Sequence, residues 1–145
     1  MKQLYLFATL AGARVAIAAE EVEAVVRLTD IAPVPGLGRH VAGLSALRSR
    51  VLTVIDVAAL IHGAATPAER RELAIIADIG GHSYGLMVDE VSDICWVPEG
   101  ALPLRGRLDP VWMPYARAIV EHDAVPWLLV SPSGFLENGI ADQAA

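Results

Sequence analysis

Glycine, proline and aspartate cut the apolar stretches of this chain into strand-length pieces, and that punctuation restricts it to small antiparallel architectures. Gln3–Leu10 and Arg14–Ala19 flank Ala11-Gly12-Ala13, and Glu72–Ile79 and His82–Val88 flank Gly80-Gly81. Tyr115–His122 and Ala124–Val130 flank Asp123. Each set reads as a hairpin. Val41–Leu47 and Val51–Val57 form another across the basic turn Arg48-Ser49-Arg50. Between the hairpins lie short acidic steps: Glu20–Val25 reads as one or two helical turns, and Asp89-Glu90-Val91 as a helical or bent connection into a strand over Ser92–Val97. Ala58–His62 reads as a short helix stopped by Gly63, with Asp56 placed to cap it. Ser131–Gly139 reads as a C-terminal helix capped by Ser131 or Ser133. Pro33-Val34-Pro35-Gly36 and Pro98–Pro110 are loops.

The pattern restarts after a polar hinge at Ala64–Arg70, so the two halves echo each other. Many short strands at this spacing predict an all-β chain with short helices, built as two small antiparallel barrels packed on each other. The expected division is one domain over residues 1–145, with sub-barrels at about 13–65 and 71–130 and terminal segments crossing between them. Neither half alone buries enough surface to stand comfortably.

Hydrophobic residues make up 54% of the 145 positions and charged residues 19%, enough for a substantial core. The net charge of −6, with arginines scattered, argues against nucleic-acid binding. Met1-Lys2 ahead of LYLFATLAGA has the outline of a signal peptide. The apolar run is short, however, and Arg14 leads at once into VAIAA, so we read a strand of a cytoplasmic protein. Cys95 is the single cysteine, which suits a reducing compartment and excludes an intrachain disulfide; within Ile94-Cys95-Trp96-Val97 it reads as a buried, inert thiol.

Reactive constellations are not evident. His40, His62, His82 and His122 stand at no ligand spacing to one another or to Cys95, and Glu121-His122-Asp123 reads as a solvated turn. Gly36-Leu37-Gly38 lacks the third glycine of a dinucleotide loop. Ser131-Pro132-Ser133-Gly134-Phe135 lacks the order of a hydrolase elbow. Trp96, Trp112 and Trp127 read as core or barrel-junction residues. Neither catalysis, cofactor nor metal is expected.

Four segments in order carry a resemblance: YLFATLAGARVAIAAEEVEAVVR, VAGLSALRSRVLTVIDVAALI, YGLMVDEVSDI and LLVSPSGFL. Together they resemble the CheW-like family, the chemotaxis coupling proteins and the related regulatory domain of the kinase CheA. The resemblance implies two packed, intertwined five-stranded SH3-like barrels with a shared core and no catalytic activity. It also implies two partners, CheA and the cytoplasmic tip of chemoreceptors, with weak self-association in arrays at the membrane but no insertion into it.

Carried across by position, Val22 and Val25 match apolar residues of a helical step facing a receptor groove. Gly43 and Arg48 match the hairpin pattern, and Val88, Asp89 and Val91 match a segment bordering the same groove. Ala46 stands where the pattern has Asn and Ser49 where it has Gly; Ser45 and Thr53 also depart from it. Arg48 reads either as a partner anchor or as a closure of its own turn. Two rivals stay open: a scaffold in a pathway other than motility, such as pilus or biofilm control, and a small ligand-binding or enzymatic barrel around His82 and Asp89.

Overall fold

The computed structural model describes residues 2–28, 30–33, 40–47, 50–67, 72–104, 106 and 108–136. Strands β1 (Gln3–Leu10) and β2 (Ala13–Ala18) are followed by a 3₁₀ turn at Ala19–Glu21, then β3 (Ala24–Arg27), β4 (Val41–Leu47) and β5 (Arg50–Ile55). Helix α1 (Val57–His62) leads to β6 (Leu73–Ile79), β7 (His82–Val88) and β8 (Glu90–Val97). A second 3₁₀ turn at Pro110–Trp112 precedes β9 (Ala118–His122), β10 (Val125–Leu129) and α2 (Pro132–Gly134).

Three hairpins turn on pairs of residues with positive φ: Ala11-Gly12, Gly80-Gly81 and Asp123-Ala124. Such pairs match the right-handed twist of the flanking strands, which is why those short polar or glycine interruptions make hairpins. Asp56 caps α1 by accepting from the Ala59 amide at 3.2 Å, and Gly63 ends it in the left-handed region at φ 78°. The expected acidic helical step is shorter than its sequence suggests. It ends at Glu21, and β-branched Val25 and Val26 pair instead with Ile75 and Ala74 of β6. At Asp89 the chain bends for one residue and β8 begins at Glu90, so Val91 lies in a strand. Of the expected helix over Ser131–Gly139, α2 covers Pro132–Gly134 and continues as a π turn at 135–136, while 137–139 lie outside the described residues. Ser131 makes no side-chain cap bond, and its hydroxyl donates to Glu21 instead.

The strands form two five-stranded sheets, ordered β8-β1-β2-β10-β9 and β3-β6-β7-β5-β4. The polar hinge does not separate them, because β1 and β2 complete the sheet of β8–β10 while β3–β7 form the other. A division at residues 64–70 therefore splits both sheets. The two modules share one plan. In each, an antiparallel hairpin (β1–β2 or β6–β7) takes a parallel partner (β10 or β5), itself half of a second hairpin. The order β8-β9-β10-β1-β2 is thus a circular permutation of β3-β4-β5-β6-β7. Each barrel closes by an isolated bridge between its edges, Leu102 to Ile119 in the first and Ala32 to Leu44 in the second. Closure removes the exposed ladder of an edge strand.

One core joins the barrels: Leu6, Val15 and Ile17 meet Ile55, Ile75 and Leu86, with Trp112, Tyr115 and Phe135 packed among them. A second lies on the other face of the first sheet, around Tyr5, Phe7, Ala16 and Val120. Strand β1 is covered on both faces, hence its nearly unbroken apolar sequence. Of the tryptophans, Trp112 is buried as expected, whereas Trp96 is 56% exposed on the outer face of β8. No helix among the described residues is long and apolar enough to cross a membrane.

Candidate partner-binding surface

Two clefts mark the places where the chain crosses from one barrel to the other. The first, of about 650 Å³, lies between the β1–β2 turn at Ala11 and Gly12, helix α1, and the end of β7 at Val88 and Asp89. The second, of about 590 Å³, lies between the β6–β7 turn at Gly80, the Glu20–Glu23 crossover and Ser131–Ser133. They are counterparts under the repeat that relates the barrels.

Local bonds hold the first cleft in shape. Asp89 accepts from the Gly12 amide at 2.9 Å through its side chain, while its own amide donates to the Thr9 carbonyl at 2.9 Å. The His62 ring nitrogen Nε2 donates to the Ala11 carbonyl at 2.9 Å, tying α1 to the same turn. Below it, Asp56 is buried and accepts three times: from the Ala59 amide, from the Thr66 amide at 2.7 Å and from the Thr66 hydroxyl at 2.7 Å.

Of the seven residues singled out from sequence, the six described ones do not line one groove. Val88 and Asp89 line the first cleft, Val88 as a buried floor and Asp89 as an exposed rim. Val22 lines the second cleft, half-buried against the shared core. Val25 is 38% exposed on β3, while Val91 is half-buried on β8 and packs on the shared core. Gly43 is buried at a register shift in β4, with φ 148°, directly under Ala32, and presents no surface to a partner. Arg48 and Ser49 lie outside the described residues. His82 and Asp89, offered from sequence as a possible pocket, stand at opposite ends of β7; seven residues of strand separate them by roughly 23 Å.

Sequence reasoning singled out the β4–β5 hairpin as a contact surface but named Gly43 and Arg48, not the residues of its outward face. Leu44, Ala46 and Val51 are exposed there, with Ala46 and Val51 paired across the strands and Val51 60% exposed. The signal was the alternation of β4, whose odd residues Gly43 and Ser45 point inward and whose even residues Leu44 and Ala46 point out. Beside this face Arg50 is paired with Glu23 and reaches Ser83 at 3.3 Å and Asp78 at 3.9 Å. The hydrogen bond that Arg50 donates to the Glu23 carboxylate pushes the guanidinium pKa further up, so Arg50 stays charged and committed to its neighbours.

A second feature concerns the first barrel. Asp93 and Cys95 of β8 and His122 of β9 bring their donor atoms within 4.8 Å of one another. His122 stacks on Phe7 with ring centroids 4.4 Å apart. It is not the solvated tip that its sequence neighbours suggest, and Cys95 is half-buried. Burial and the neighbouring Asp93 and Asp123 carboxylates push the thiol pKa up, which keeps Cys95 protonated at neutral pH.

Residues 4–139 match the model of the CheW-like domain. The chain belongs to the CheW-like family. It is also 34% identical, over 71 residues, to a chemotaxis protein CheW from Rhizobium meliloti (strain 1021). That match covers 49% of this chain and 46% of that protein, so it spans about half of each. The crystal structure of the scaffolding protein TtCheW from Thermoanaerobacter tengcongensis superposes with a TM-score of 0.79 at 20% identity, covering 96% of both chains. At that identity the superposition establishes the shared two-barrel CheW-like fold.

Proposed function

We propose that this chain is a non-catalytic adaptor of a chemosensory array, joining the cytoplasmic tip of a chemoreceptor to the regulatory domain of a CheA kinase. The observation that carries the reading is the exposed apolar face Leu44–Ala46–Val51 on the hairpin that leads to Arg48, in a chain of the CheW-like family. An exposed apolar strip on a rigid hairpin gains free energy when another protein covers it, at about 25 cal/mol per Å² of apolar surface. Arg48, which follows β4 in the sequence, adds a cation able to bond a partner carboxylate. The two clefts at the barrel crossovers, one rimmed by Asp89 over Val88 and the other lined by Val22, offer further partners separate surfaces. Small, separate contacts of this kind are weak singly and become strong when several engage at once. A protein with this role works in the cytoplasm and is brought to the membrane by its partners.

Co-sedimentation with receptor cytoplasmic fragments and CheA tests the reading. The expected result is capture of the chain by both, with Val51→Glu and Arg48→Glu each weakening capture at least about tenfold while the melting temperature stays within roughly 2 °C of the parent. Failure of the unaltered chain to bind either partner would overturn the proposal.

A further inference from the structure

Asp93, Cys95 and His122 have no place in the adaptor reading, yet they form a set of unlike metal-binding donors. We infer that these three side chains bind a divalent transition metal of borderline softness, with Zn²⁺ the best match, at the seam between β8 and β9.

The placement follows from the fold. Strands β8 and β9 are the two outer strands of the first sheet, closed on each other only beyond β8, by the Leu102–Ile119 bridge. Asp93 and Cys95 are two apart on β8, so the strand's period turns both to one face. That face is the one shared with Tyr5 and Phe7, since Cys95 pairs with Tyr5 and Asp93 with Phe7. His122 enters from the last residue of β9 and is fixed there by its stacking on Phe7.

The distances fit a tetrahedral ion. Zinc–ligand bonds of about 2.0–2.3 Å put neighbouring donor atoms roughly 3.3–3.8 Å apart. Here His122 Nε2 lies 3.2 Å from Asp93 Oδ2, and Cys95 Sγ lies 3.4 and 3.6 Å from His122 Nδ1 and Nε2. Because the sulfur is almost equidistant from both ring nitrogens, it sits off the lone pair of either, so the thiol–imidazole contact is not a well-aligned hydrogen bond. Three protein donors leave the fourth position of a tetrahedral ion to water.

Charge argues the same way. A divalent cation at this seam would accept the thiolate and neutralise the Asp93 carboxylate that faces it. Binding therefore converts Cys95–SH and M²⁺ to Cys95–S–M and one released proton. The exposed carboxylates of Asp93 and Asp123 give an ion a path from solvent. Among the described residues no other group of three such side chains brings its donor atoms together in this way.

The test titrates the purified chain with Zn²⁺ against a chromophoric chelator, and separately with Co²⁺, whose thiolate charge-transfer band in the near ultraviolet reports sulfur ligation directly. The expected result is one equivalent bound with a Kd of about 1 µM or tighter, with release of a proton. A thiolate–cobalt band should appear in the unaltered chain and vanish in Cys95→Ser. Cys95→Ser and His122→Gln should each weaken Zn²⁺ binding more than about tenfold, and Asp93→Asn less so. The cobalt band is read on the unaltered protein, so a variant that fails to fold leaves the test intact. Binding weaker than about 100 µM, a cobalt complex with no sulfur band, or zinc affinity undiminished in folded Cys95→Ser and His122→Gln would each overturn the assignment.

Discussion

A Cβ built on Gly43 would stand 2.2 Å from the carbonyl oxygen of Ala32, on the strand pair that closes the second barrel. The Ala32 and Leu44 amides and carbonyls exchange both their hydrogen bonds there, at 2.8 and 2.9 Å, so the backbones cannot separate without breaking the closure. Gly43→Ala therefore meets a steric clash and an unfavourable φ of 148° together. Backbone strain alone costs about 1–3 kcal/mol, and the overlap adds to it. The expected outcome is a urea midpoint lowered by the equivalent of at least about 3 kcal/mol, read by far-ultraviolet circular dichroism with the slope unchanged. A variant as stable as the parent would show that β4 shifts to relieve the contact.

Asp56 is buried and serves the Ala59 amide, the Thr66 amide and the Thr66 hydroxyl. Asp56→Ala removes a helix cap, worth about 1 kcal/mol, and takes the acceptor from the half-buried Thr66 amide and hydroxyl, two hydrogen bonds worth about 1–3 kcal/mol more together. A loss of about 2–4 kcal/mol is expected in equilibrium unfolding. Whatever fraction remains folded should bind partners as the parent does, because Asp56 lies beneath the first cleft rather than on its surface. Reduced partner affinity in a variant of normal stability would assign Asp56 to the interface instead.

The hairpins were legible because their turns are local: Ala11-Gly12, Gly80-Gly81 and Asp123-Ala124 carry the φ values that short strand connections need. The capping of α1 by Asp56 was legible for the same reason. The sheet membership was not. The pairings of β10 with β2 and of β5 with β7 are parallel and join distant segments, so no turn residue announces them, and they decide that the first barrel takes strands from both ends of the chain. Gly43 was read as part of a contact hairpin, whereas the close approach of Ala32 is what requires a glycine there. The donors at the seam were hidden too, because Asp93 and His122 are 29 residues apart and meet only when the barrel closes.

Trp96 and Trp112 looked alike in sequence and lie in opposite environments. Trp112 is 3% exposed, edge-on to Tyr115 and Phe135, whereas Trp96 is 56% exposed with the Lys2 ammonium 5.2 Å from its ring centre. Trp112→Ala should cost about 3–5 kcal/mol. Trp96→Ala should cost under about 1 kcal/mol, the value of an exposed cation–π contact. Paired thermal melts of the two variants check the contrast; equal losses would mean that β8 depends on Trp96 for its packing.

Two groups set the alkaline limit of the fold. Burial raises the Tyr5 hydroxyl above its ordinary 10.0, and burial with the Asp93 and Asp123 carboxylates raises the Cys95 thiol above its ordinary 9.0. Between the ordinary and the raised value the folded chain keeps a proton that the unfolded chain has released, so the folded state binds more protons there and stability falls as pH rises. The contribution is fully present below about pH 9, begins to fade through Cys95, and fades further above about pH 10 through Tyr5. Urea midpoints from pH 7 to 11, with a chelator present so that no metal holds the thiolate, should decline across this window. Cys95→Ser should flatten the earlier part of the decline and Tyr5→Phe the later part. A midpoint that stays level in the parent, or a decline unchanged in both variants, would place the alkaline sensitivity elsewhere in the chain.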